Sequence, residues 1–125
     1  MIEKIIYDYL TTALNTGGTA VNVYMERPEK PVVPFIVIEK TGTSEKNMLR
    51  RSIIAIQCYG ASLYLSASLA ETVINSMVYG LVTLKSVASV KLNNSYNFTK
   101  TDSKEYRYQA VFEVYWYQEE ITNEQ

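Results

Sequence analysis

The chain has no histidine. That removes both the side chain most often used as a general base and the one most often used to hold a metal. Its one cysteine, Cys58, has no partner for an internal disulfide and sits in an apolar run. With no histidine to activate it, the thiol reads as a small buried hydrophobe. Aspartate is nearly as scarce: Asp8 falls on the wet side of a helical pattern, and Asp102 in the loop sequence Thr-Lys-Thr-Asp-Ser-Lys. No pair of carboxylates is singled out for hydrolytic work. There is no glycine-rich phosphate loop, no metal-ligand spacing, and Gly17-Gly18 reads as a helix stop. No apolar run approaches the ~20 residues that cross a bilayer, and no secretory leader is evident, so synthesis in the cytosol is the expectation. The net charge of −1 gives no bulk drive toward nucleic acid or acidic membranes.

What is present is tyrosine. Eleven of 125 residues are Tyr, gathered near the N-terminus and between Tyr106 and Tyr117. Tyrosine combines apolar area with a polar tip and is enriched where proteins meet. The length suits one domain, 1–125, which at this size buries roughly two-thirds of the surface its unfolded chain exposes.

Periodicity supplies the elements. Ile2, Ile5, Ile6, Tyr9, Leu10 and Leu14 recur at helical spacing and predict an amphipathic helix over 2–14. A short strand is expected near Ala20–Met25. All three prolines then fall between Pro28 and Pro34, an extended connector. Phe35–Thr41 and Ser52–Tyr59 read as strands. Gly42–Arg51 between them is polar and reads as a mobile hairpin arm, too long for a two-residue turn. Ser62 is a plausible N-cap for a helix over 63–79, with Leu63, Ala67, Ala70, Ile74, Met77 and Val78 as its core stripe and Gly80 as its stop. A weaker strand is expected over 87–93. From Tyr106 to Tyr117 strict alternation puts Tyr108, Ala110, Phe112, Val114 and Trp116 on one face. Gln118–Gln125 reads as a polar tail. The fold class is therefore α+β, order α-β-β-β-α-β-β: a mainly antiparallel sheet of about five strands with two helices on one face.

Candidate contact residues follow from exposure and type. They are Lys46, Asn47, Met48, Leu49, Arg50 and Arg51 in the arm, and Tyr115 and Tyr117 on the wetter side of the last strand. That strand admits three readings: core alone, core with protein contact on its other face, or a base-stacking sheet. The basic, glycine-containing motif of an RNA-binding strand is missing.

Taken together, the pieces resemble the small tail-completion proteins of long-tailed bacteriophages and prophages, the tail terminators and related head–tail joining proteins. They are the helix Ile2–Leu14, the connector Arg27-Pro28 to Pro34, and Phe35-Ile36-Val37-Ile38. After the polar arm come Ile53-Ile54-Ala55-Ile56-Gln57, a helix with Ala70-Glu71, and Arg107-Tyr108-Gln109-Ala110-Val111-Phe112-Glu113-Val114. The resemblance implies a ring, commonly a hexamer, that caps the tail tube and helps join tail to head. Its partners would be further copies of itself, the tail tube protein and the head-connector protein. No enzyme activity, cofactor, metal, small-molecule substrate, membrane or specific nucleic-acid ligand is implied. The place of work would be the virion, after synthesis in a host bacterial cytoplasm. Gly42–Arg51 would line or bridge the ring. A generic interaction adaptor, or another neck or head-completion protein, is the alternative.

Overall fold

A computed structural model describes residues 1–18 and 20–118. Beyond Gln118, the tail read from the sequence lies outside the described residues.

Helix α1 runs Ile2–Ala13 and buries Ile2, Ile6 and Leu10 at four-residue spacing. Its end is made by Asn15 and not by the glycines. The Asn15 amide donates to the Thr11 carbonyl at 2.7 Å and to the Val21 carbonyl at 3.0 Å, and its oxygen accepts the Val21 N–H at 2.8 Å. One side chain thus satisfies an orphan carbonyl of the helix and fixes the start of the next segment. Strand β1 is short, Asn22–Tyr24, and after the proline connector it pairs in parallel with β2, Phe35–Lys46.

Strand β3 spans Leu49–Tyr59. The ladder with β2 therefore continues through Lys46↔Leu49, and the stretch expected as a hairpin arm too long for a two-residue turn is a β-hairpin closed by one. Its turn is the two residues Asn47 and Met48, at φ 54° and 68°. Two consecutive positive φ values mark the hairpin turn whose twist matches its strands. Polar composition hid these strands because β2 is exposed from Glu39 to Lys46, so no apolar face announces it.

Helix α2, Leu63–Asn75, starts where Ser62 Oγ accepts the Leu65 N–H at 3.1 Å. Its path continues through a π-turn, Ser76–Gly80, and a 3-10 turn, Leu81–Thr83. The whole helical stretch, 21 residues at mean hydropathy 1.2, is long and apolar enough to cross a membrane by length and composition, contrary to the expectation of no such run. Here it serves the core. It buries Ser66, Ala70, Val73, Met77 and Leu81, a stripe that shares Ala70 and Met77 with the one read in the sequence; Ile74 and Val78 pack against the core and Leu63 is exposed. Ser66 can take a core position because its hydroxyl lies 3.0 Å from the carbonyls of both Ser62 and Tyr106. Gly80 does not stop the path. A Cβ there would stand 1.8 Å from the Tyr9 hydroxyl, so the missing side chain lets α1 and the π-turn touch.

Strands β4, Val87–Asn97, and β5, Arg107–Tyr117, complete a five-stranded sheet ordered β1-β2-β3-β5-β4, antiparallel except at β1–β2. Ala110, Phe112, Val114 and Trp116 are buried, as the alternation requires. They join Ile36, Ile38, Ile54, Ile56 and Cys58 in one core with the apolar stripes of α1 and α2. Burial pushes the Cys58 thiol far above its ordinary pKa, which suits a core residue. The opposite face of the sheet carries only a small cluster around Phe35, Val37 and Tyr59. Two helices cover one face; among the described residues no helix covers the other, where only the proline connector and the 98–106 loop pack, at one end.

Candidate assembly surface

The bare face has two built ends. At the hairpin end, β3 lies along β5 over its whole length, with Leu49 opposite Tyr117 and Arg51 opposite Tyr115. Alternation puts Leu49, Arg51, Tyr115 and Tyr117 on the same side of the sheet. Together with Ser44, Glu45, Lys46 and Asn47 they line an open hollow of about 540 Å³. Six of the eight candidate contact residues thus meet in one place. Met48 stands beside them at the turn, with 54% of its surface exposed.

Arg50 is the exception. It points to the helix side, where its guanidinium lies 5.4 Å from the Trp116 ring centre and its Nε is 3.3 Å from Glu45. Arg51 is also engaged. It ion-pairs with Glu113 across the strands, and the Tyr115 hydroxyl donates to the same carboxylate at 3.1 Å. Both guanidiniums are thus engaged by neighbouring strands. Ser44, Glu45 and Glu113 were missed as site residues. For Ser44 and Glu45 the signal was the strand period of β3, which continues outward from Ile53 through Arg51 to Leu49 and carries its partner β2 with it; Glu113 shares the parity of Tyr115 and Tyr117 on β5.

Glu113 has a measurable electrostatic consequence. The hydrogen bond from Arg51 holds its carboxyl below the ordinary glutamate range, against the opposing effect of desolvation; Tyr115 and the charge of Lys91 add to the lowering. A carboxylate with a lowered folded-state pKa contributes stability in full above its unfolded value, and loses it as pH falls through the folded one. The stability gap between wild type and Glu113→Gln is therefore expected to be open at pH 7 and to close below about pH 4. Urea midpoints at pH 7 and pH 3 check this.

Met48 is costly where it stands. A side-chain-bearing residue at φ 68° occupies backbone space suited to glycine. Met48→Gly is expected to raise stability by roughly 0.5–1 kcal/mol while removing an exposed apolar side chain from the tip. Denaturant midpoints measure the first effect.

The far end of the bare face is an aromatic and arginine cluster that sequence reading did not find. Phe35 and Tyr59 stack at 4.3 Å, Arg27 lies 5.7 Å from the Tyr59 ring, and Arg107 lies 4.2 Å from the Phe98 ring. Glu105 bridges Arg27 and Arg107. These contacts fasten the proline connector and the 98–106 loop to the sheet. Among the described residues no group of three or more His, Cys, Asp or Glu side chains could hold a metal ion.

No protein-family model matches the chain, and no curated protein does. Among solved structures, one similar chain belongs to the "Virion of native gene transfer agent (GTA) particle". It superposes with a TM-score of 0.56 at 14% sequence identity, over 90% of this chain and 92% of that one. At this identity the likeness establishes a shared fold, and the high coverage of both chains makes it a likeness of whole domains.

Proposed function

We propose that the protein is a non-enzymatic virion assembly protein that forms a ring on the end of a tail tube and helps join the tail to the head. The observation that carries this reading is the end-to-end fold likeness to a chain of a gene transfer agent virion. The surface supports it. A hollow built from Leu49, Tyr115, Tyr117, Lys46 and Arg51 combines aromatic, aliphatic and cationic groups, and tyrosine and arginine are residue types enriched in protein interfaces. A ring needs two different complementary patches on each subunit. A chain of net charge −1 can bring such patches together without strong self-repulsion.

A place in the neck or in head completion is a second reading. The same likeness accommodates it, because the similar chain belongs to a whole virion particle. Electron microscopy of particles made without the protein separates the two. Tails of uncontrolled length are expected for a cap of the tube, and finished tails beside unjoined heads for a neck component. Normal particles would end both readings.

A further inference from the structure

We propose that copies of this chain join edge to edge, the outer edge of β2 in one subunit pairing antiparallel with the outer edge of β4 in the next. This deepens the assembly reading and rests on it for the premise that copies associate.

The sheet leaves two long edges open among the described residues. Strand β1 covers β2 only at Phe35–Val37, so the backbone from Ile38 to Lys46 has no strand on its outer side. Strand β4 pairs with β5 alone along Val87–Asn97. Open edges present rows of unpaired N–H and C=O groups, and proteins that stay monomeric guard them with charge, proline or a covering element. From Leu92 to Ser95, level with Lys40–Ile38, strand β4 is exposed and carries no charge, while the open stretch of β2 carries both signs, Glu39, Lys40, Glu45 and Lys46.

The two edges are matched in direction. β2, β3, β5 and β4 alternate in sense, so β4 runs opposite to β2. A head-to-tail repeat keeps every subunit in the same sense, so its β4 meets the next β2 antiparallel, the arrangement with the better hydrogen bonds. They are matched in level as well. Ser44, Arg51, Tyr115 and Ser89 form one line of register partners across four strands, with Ser44 and Ser89 exposed at its two ends. Because the two patches differ, the contact is heterologous and closes into a ring when its rotation permits. The bare faces of successive subunits, with their hollows, would then lie side by side on one continuous surface.

Cysteine crosslinking tests the pairing. Ser44→Cys is combined in turn with Ser89→Cys, Lys91→Cys and Asn94→Cys, since a stagger between subunits would shift the partner along β4. Cys58 is buried and does not compete. Oxidation is carried out on the concentrated chain and on particles that contain it. The expected result is a ladder of covalent multimers for at least one double variant and none for Ser44→Cys alone. Dimers from Ser89→Cys alone would show β4 meeting β4 and overturn the proposal. Oligomers seen by sedimentation with no ladder from any pair would also overturn it, while leaving the assembly reading intact. A chain monomeric at every concentration and absent from particles would overturn both.

Discussion

Phe112→Ala is expected to cost about 3–5 kcal/mol of stability and to lower the melting temperature by roughly 10–20 °C. Phe112 is fully buried on β5, with Ile54 of β3 and Leu92 of β4 as its register partners. The sheet backbone holds it on two sides and the helices cover it, so little can move in to refill the space. The cost is then the lost transfer energy of the ring plus a cavity. Urea denaturation with an unchanged m-value measures it. A loss below about 1 kcal/mol would mean that this face is not the core.

Trp116→Ala is expected to cost a similar amount, about 3–5 kcal/mol, and to reach the assembly surface as well. The indole is 5% exposed and its N–H donates to Ser52 Oγ at 2.9 Å. Ser52 Oγ in turn lies 2.9 Å from Thr43 Oγ1, which ties β5 through β3 to β2 at the root of the hairpin. Arg50 rests on the ring from the other side. Truncation removes the packing, frees Ser52 and leaves a half-buried guanidinium without its platform. The hairpin should loosen, and oligomer formation should weaken although Trp116 does not line the hollow. Ser52→Ala is the graded control. It keeps the indole in place but leaves its buried N–H unpaired, for about 1–3 kcal/mol. Thermal melts and sedimentation of the two variants should rank Trp116→Ala as the more damaging in both readouts.

The core strand was legible because alternation from Tyr108 to Trp116 is a period that only a strand can use, and the buried residues fall on that parity. Helix α1 was legible for the same reason at the helical period. The α2 stripe was legible at Ala70 and Met77, which are buried, and at Ile74 and Val78, which pack against the core; Ser66 was missed because polarity argues for the surface unless partners are known, and the carbonyls of Ser62 and Tyr106 that satisfy it come together only in the fold. The helix end at Asn15 depends on Val21 in the same way. At the site, the candidate residues were chosen for type and exposure, and the hairpin gathered six of them. Arg50 was lost to the opposite face because a loop reading carries no parity, whereas a strand sends neighbours to opposite sides. The Arg27, Tyr59, Phe98 and Arg107 cluster could not be read at all, since its members come from four separate segments.

The most direct measurement is the mass of the purified chain, over a range of concentrations, alone and with the tube protein of the same particle. The account predicts a closed multimer of fixed copy number, formed or stabilised when the tube is present. A chain that stays a single subunit, and does not bind the tube at any concentration, would contradict it.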